Sequence, residues 1–494
     1  MKESTAHGRI ARAGLIVAIL AAALLGNTIA SRADKAALPS AIDRRADATW
    51  KAALQIWEWA EPGYQEEKSS ALLANMLEAE GFEVERGVAG IPTAFTATAG
   101  SGRPVIAILG EYDALPGLSQ QAVPERAPRV PGGYGQACGH HLFGAASAAA
   151  AIAVAEELKK EKLSGTVRFY GCPAEEGGAA KTFMVRAGLF NDVDAALHWH
   201  PGNRNAAGDA TCLARIAAKF RFRGTSAHAA ASPEQGRSAL DAVELTNHAS
   251  ELLREHTPDL TRIHHVITAG GGAPNVVPDF AEVWFYVRHP QADVAKSVYQ
   301  RLLKCAEAGA LATETKLEVD YLGGTHELVP NDILSRITLA NLRELNDLSF
   351  TPEEELFAAR IATTLAKPAP LDGLREVTDF KGGQNKGSTD VGDVSCVVPT
   401  TGFSTVCWVP GTPGHSWQAT AAGGTTIGRK GMLLAAKVLA ATAYDLSTNP
   451  EAVAAAKDEL ARRVGAEGYQ TLLVPGQKPP LDYRKAPVAT SVAE

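Results

Sequence analysis

With 494 residues, 46% of them hydrophobic and 21% charged, the chain can bury a large core and divide into two domains. Lys plus Arg number 48 against 55 Asp plus Glu, and the net charge of -7 leaves no electrostatic footprint for nucleic acid or an anionic membrane. Six cysteines without a CxxC pair exclude a disulfide-built scaffold and a zinc ribbon.

Lys2, Arg9 and Arg12 precede an uncharged run from Ala13 to Ala30 with an apolar centre at Leu15 to Leu25, and the small residues Ser31 and Ala33 follow. This is the pattern of a secretory signal peptide over residues 1–33, with an uncleaved anchor as the alternative for which the run is short. The mature chain is expected to be exported, in a periplasm, without a membrane attachment after cleavage.

Ala48 to Ala60 and Ser69 to Glu80 carry helical periodicity, broken by Glu61, Pro62 and Gly63. Apolar strand-length runs then alternate with helical stretches: Val105 to Leu109, Leu142 to Leu158, Val167 to Cys172, Lys181 to Gly188 and Ala195 to Trp199. Such alternation predicts an α/β domain, a mostly parallel sheet with helices on both faces. From Thr211 the order becomes strand (Arg215 to Phe222), helix (Ala239 to Glu255), two strands (His264 to Thr268, Ala281 to Val287), helix (Ala292 to Leu311) and strand (Lys316 to Tyr321). That order is ferredoxin-like and can close on its own as an inserted α+β domain. After Pro330 the first pattern resumes with a helix at Ile333 to Leu345, a buried strand at Thr405 to Val409 and a closing helix at Lys430 to Tyr444; Ala366 to Gly387 is expected as a long surface loop. The expected organisation is a split catalytic domain, 34–210 and 329–450, around an insert at 211–328, with a tail at 451–494 that holds one small helix.

The residues able to do chemistry gather at the carboxyl ends of these strands, the edge where open α/β sheets form ligand sites. Glu111 and Asp113 follow the first strand, Glu175 and Glu176 the second, His200 ends the third and His415 follows the fourth. Cys138 and His140 lie on a Gly-punctuated loop, Gly135 to Gly144, that opens into the long helix. A thiolate, imidazoles and a carboxylate suit Zn or Mn rather than Ca or Mg. Cys138, His140, Glu176, His200 and His415 make five donors, which fits two ions sharing a bridging group better than one tetrahedral ion. Glu175, next to a ligand yet free, suits the general base that takes a proton from activated water.

Taken together, Glu111-Tyr-Asp-Ala-Leu-Pro116, Ala137-Cys-Gly-His140, Pro173-Ala-Glu-Glu-Gly177, Trp199-His-Pro201, Ser226-Ala-His-Ala229 and Gly411-Thr-Pro-Gly-His415 resemble the co-catalytic metallo-amidohydrolases that include aminoacylases, plant auxin-conjugate hydrolases and glutamate carboxypeptidases. His200-Pro201 and the Gly387 to Ser395 segment look nearest to the aminobenzoyl-glutamate hydrolases of that group. The resemblance implies that Cys138, His140, Glu176, His200 and His415 hold two divalent ions, Zn or Mn, that Glu175 is the general base, and that Asp113 supports the ligands from behind. It implies that His228, in the insert, reaches a partner copy's site and steadies the oxyanion, and that Asn275 and Arg288 hold the substrate's carbonyl and carboxylate. The insert then serves as a lid and homodimer interface. The implied substrate is a small N-acyl or N-aroyl amino acid, with a dipeptidase or amino-acid carboxypeptidase as the alternative and a metal-binding protein without catalysis as a third class. Local alternatives stay open: His228 capping its own turn, Arg288 as a strand-end surface charge, His198 or His141 joining the metal site, and Cys138 paired with Cys172 in an oxidising compartment. Asp390 and Asp393 carry no assigned role.

Overall fold

A computed structural model describes residues 35–369 and 375–484, so the expected signal peptide lies outside the described residues. Its strands are, in chain order, β1 (Glu83–Arg86), β2 (Phe95–Ser101), β3 (Val105–Glu111), β4 (Gly165–Cys172), β5 (Ala195–Gly202), β6 (Asn205–Gly208), β7 (Ala214–Arg223), β8 (Arg262–Ala269), β9 (Phe280–His289), β10 (Lys316–Thr325), β11 (Val377–Phe380) and β12 (Thr400–Val406). They form an eight-stranded sheet in the order β1-β2-β4-β3-β5-β12-β6-β11 and a four-stranded sheet in the order β10-β7-β9-β8.

The centre of the large sheet is parallel, β4 with β3, β3 with β5 and β5 with β12, while β2 against β4 and β6 against β12 run antiparallel. Alternation along β3 explains its two-sided burial. Ile106 and Ile108 enter one core with the helices His140–Lys160 and Thr426–Thr448, whereas Val105, Ala107 and Leu109 enter another against the helix Ala180–Arg186. His140–Lys160 is long and apolar enough to cross a membrane, yet 89% of its most apolar stretch is buried, so it is the central core helix of this fold. Its close approach to the sheet needs Gly144, where a Cβ would lie 2.6 Å from the Glu111 carbonyl oxygen.

The smaller sheet is antiparallel throughout, and the helices Ala239–Arg254 and Ala292–Thr313 cover one face through Ile216, Ala218, Phe220, Val283, Phe285 and Val287. Residues of the opposite parity, among them Arg215, Tyr286 and Arg288, line a cavity shared with the large sheet.

Three expectations are corrected. The buried strand expected at Thr405 to Val409 is β12, Thr400–Val406. Cys407 and Trp408 leave the ladder and both donate their amides to the Gly202 carbonyl, at 2.8 and 3.0 Å, so the apolar run reflects burial and not strand geometry. The expected loop at Ala366 to Gly387 contains β11, an edge strand parallel to β6. Strands β1, β2 and β6 are additional; β6 (Asn-Ala-Ala-Gly) is too short and small-residued to show a period. The helices Pro352–Ala362, Val391–Val397 and Trp417–Gly423 also lacked a clear signal, while the tail's small helix is Pro450–Val464.

Candidate metal centre

β3, β4 and β5 deliver Glu111, the segment before Glu175 and Glu176, and His200 to one edge of the sheet. Cys138 and His140 join them through a tight turn. Gly139 precedes the core helix at φ 79°, left-handed backbone, and a Cβ there would meet Pro201 at 2.8 Å, so a side chain is excluded twice over. His415 also adopts a left-handed φ of 57°, strained for a non-glycine residue, and its amide donates to the Ala137 carbonyl at 3.1 Å. That bond ties the last donor to the loop that carries the first.

The donor atoms converge in three groups, each within 4.8 Å: Cys138, His140 and His200; Cys138, Glu176 and His415; His140, Glu175 and Glu176. Cys138, His140 and Glu176 each belong to two of them, and of these the Cys138 thiolate would be suited to serve two ions at once. Hydrogen bonds orient the imidazoles. His200 Nδ1 donates to the Pro201 carbonyl at 2.7 Å, leaving Nε2 facing the Cys138 Sγ at 3.3 Å. Asp113 holds His140 Nδ1 at 2.8 Å through Oδ1 and accepts the Glu176 amide at 2.9 Å through Oδ2, so one carboxylate aims two donors.

Two buried atoms in this cluster, His140 Nε2 and Glu176 Oε1, lack any hydrogen-bond partner. Glu111 Oε2 lies 3.1 Å from the first and His415 Nε2 3.0 Å from the second, but neither contact has hydrogen-bond geometry. Buried polar atoms left unpaired cost on the order of 1–3 kcal/mol each. An imidazole and a carboxylate atom orphaned beside a thiolate fit divalent ions of the Zn or Mn kind.

The electrostatics agree. Burial raises the Cys138 thiol and Glu176 adds to that, yet His140 and His200 outweigh both and bring it down to about 6. Burial also pushes Glu176 up, but His415 and His140 pull it to about 2. Glu175 moves the other way, held well above the usual carboxylate range by burial first and by Glu176 and Glu111 next. Adjacent glutamates thus separate into one anion and one group able to keep a proton.

Several candidates fall elsewhere. Cys172 is unbridged, its thiol 3.3 Å from the Tyr170 carbonyl, so the Cys138 to Cys172 disulfide does not form. His141 points away, with Nε2 at 3.1 Å from the Gly423 carbonyl, and burial lowers it to about 3. His198 lines the cavity outside the donor groups, lowered to about 3 by burial and by His200. Neither His228 nor Asn275 lines this cavity. His228 Nδ1 instead accepts the Ala230 and Ala231 amides at 3.2 and 3.1 Å, and Asn275 offers its carbonyl to the Ala229 amide at 3.0 Å. Within one chain the two residues lie on neighbouring loops of the smaller sheet, joined by a bridge between His228 and Val276. Arg288 does line the cavity and donates to Ser388 Oγ at 3.1 Å, so it is not a surface charge.

Lys181 carries no mark in the sequence, since nothing in a helix-borne lysine signals its role. Fully buried, it reaches Glu111 at 2.6 Å and Asp390 at 2.7 Å, while its own amide donates to the second Asp390 oxygen. This joins β3, the helix Ala180–Arg186 and the segment between β11 and β12 directly behind the donors. Asp393 has a similar tying role, accepting from Thr182, Tyr469 and the His326 amide.

The cavity over this cluster has a volume of about 860 Å³, and its walls come from both sheets. Residues 107–476 match the model of peptidase family M20/M25/M40. One of the two subunits of p-aminobenzoyl-glutamate hydrolase from Escherichia coli is 43% identical over 420 residues, covering 79% of this chain and 87% of that one. Human Xaa-Arg dipeptidase is 29% identical, covering 87% and 92%. Among solved structures, a Bacillus subtilis protein described as a dinuclear metal binding peptidase of the M20 family superposes with a TM-score of 0.53 at 20% identity, over 82% of this chain and 99% of that one, a likeness of fold.

Proposed function

The chain belongs to peptidase family M20/M25/M40, and from that premise we propose a binuclear metal-dependent amidohydrolase that releases an amino acid from an N-acyl or N-aroyl amino acid, as the name of the Escherichia coli relative describes for p-aminobenzoyl-glutamate. The observation that carries this reading is the pair of donor groups sharing Cys138 with Glu175 beside them. Cys138, His140 and His200 would hold one divalent ion, and Cys138, Glu176 and His415 the other. When bound, the ions supply the Lewis acidity that makes water a nucleophile at neutral pH and polarises the amide carbonyl.

The chain's own residues do the rest. Glu175 takes the proton of the attacking water, keeps it because burial and Glu176 favour its protonated form, and gives it to the departing amine. Arg288 grips the substrate carboxylate, a task suited to a guanidinium fork. In a homodimer, His228 from a second copy donates to the oxyanion and Asn275 holds the carbonyl. In support of such a pairing, β8 is an edge strand of the insert with Val266 55% and Ile267 43% exposed, a surface that a second copy would cover. The insert, 211–328, thereby acts as lid and interface. Export by cleavage of residues 1–33 into a periplasm completes the proposal.

The alternative, a dipeptidase releasing a basic residue like the human relative, meets Arg215 and Arg288 in the same cavity, and like charge there disfavours it. Replacing Glu175 with Gln tests the mechanism. Metal content measured by elemental analysis should stay at the wild-type level while kcat on N-benzoyl amino acids falls by about 10²–10⁴. Retained turnover would remove Glu175 from the reaction.

A further inference from the structure

The cavity holds a second set of unsatisfied groups, of opposite sign to the metal donors. Arg215, on β7, is only 7% exposed, and its Nε has no hydrogen-bond partner. Among the described residues no carboxylate lies within ion-pair distance of it, and its guanidinium carbon stands 5.0 Å from the Tyr286 ring. Directly across the ladder stands Arg288, register partner of Arg215, also unpaired at Nε and 5.5 Å from the same ring. Like charges placed opposite each other on one sheet face destabilise it, and a buried cation without a counterion costs several kcal/mol. Arg484 adds a third guanidinium to this wall, with its Nε orphaned as well and its Nη2 donating to the Glu176 carbonyl.

An arrangement so costly by itself implies an anion in the working enzyme. One carboxylate can occupy one guanidinium fork, which leaves the partner arginine unneutralised. We propose that Arg215 is a specificity-determining residue that binds a second carboxylate, on the side chain of the released amino acid, while Arg288 takes the α-carboxylate. The substrates are then N-acyl amino dicarboxylates, the class to which the p-aminobenzoyl-glutamate in the name of the Escherichia coli relative belongs. The wall's place in the cavity assigns both charges to the amino-acid half. Arg484 of the same wall donates to the carbonyl of Glu176, the residue next to the proton carrier Glu175, so the clamp borders the scissile amide and not the far end of the acyl group.

This inference rests on the amidohydrolase reading, and the test separates the two. Metal-loaded wild-type enzyme is assayed on N-benzoyl-L-glutamate and N-benzoyl-L-glutamine, which differ only in carboxylate against carboxamide. The expected glutamate preference in kcat/KM is about 10- to 100-fold, the size of a charge-assisted hydrogen bond. Arg215→Met should collapse that ratio to within about threefold, and Arg215→Lys should restore part of it. A ratio unchanged in Arg215→Met, or no preference in the wild type, overturns the proposal. Unfolding midpoints guard against a merely structural role: because the native cation is unpaired, Arg215→Met should not lower the midpoint, and a large drop would mean that Arg215 supports the fold. If wild-type enzyme cleaves no benzoyl amide, the amidohydrolase reading fails by itself. Binding of glutarate against butyrate to the same metal-loaded protein then decides the subsite, which stands if Arg215→Met removes a glutarate preference and falls if none exists.

Discussion

Two buried cations in this molecule, Lys181 and Arg215, sit in opposite circumstances. Lys181 is fully enclosed with carboxylate oxygens of Glu111 and Asp390 at 2.6 and 2.7 Å, whereas Arg215 faces another arginine and no acid. The first is the arrangement that a stable interior permits, since the desolvation of each charge is offset by close partners. The second is tolerable only with a ligand. The metal donors share part of the second pattern, as His140 Nε2 and Glu176 Oε1 lie buried without a hydrogen-bond partner, each with one ion-pair neighbour at 3.1 and 3.0 Å. Satisfied charge therefore marks the frame, and unsatisfied charge marks the places where something is bound.

Substitution of Lys181 gives the largest expected effect. Lys181→Met leaves Glu111 and Asp390 facing each other without a cation, and should cost about 3–5 kcal/mol in denaturant unfolding. A loss below about 1 kcal/mol would erase the contrast with Arg215.

Metal removal tests the other half. If the donor set is incomplete by itself, an ion at 100 times its Kd should stabilise the fold by about 2.7 kcal/mol, seen as a midpoint that falls with chelator and returns with Zn or Mn. The shared position of Cys138 sharpens this into a stoichiometry: Cys138→Ala should lose both ions, whereas His415→Ala should lose one, as read by elemental analysis. Equal losses would argue against a shared thiolate.

The frame was legible from the strand and helix periods, because β3, β4 and β5 are apolar on both faces and the core helix is a long alanine-rich run. So were the donors, which sit where parallel strands end. What escaped notice depends on partners distant in sequence. Lys181 and Asp390 are 209 residues apart, and only the tertiary fold brings the second carboxylate to the lysine. Arg215 reads as one basic residue in an alternating strand, and its meaning emerges only from the register that sets it against Arg288. β12 was displaced by five residues at its start because burial, not pleating, produced the apolar stretch after it.

The smallest effect expected is a chemical one, confined to one sulfur. In metal-stripped protein the Cys138 thiol stands at about 6, because His140 and His200 outweigh burial and Glu176. Burial takes Cys212 to about 11 and both Cys172 and Cys407 to about 12, and it raises Cys305 and Cys396 as well. A lowered pKa means that thiolate is present above pH 6 and disappears as the pH falls through that value. Since thiolate is the nucleophile, iodoacetamide labelling of Cys138 should rise with a midpoint near pH 6, well before the other five cysteines respond. Peptide mapping identifies the labelled site, and Zn added beforehand should protect it by occupying the sulfur. A midpoint near 8.5, the value of a free cysteine, would show that the imidazoles do not face the thiol. Label shared among several cysteines would place Cys138 with the inert sulfurs of the frame.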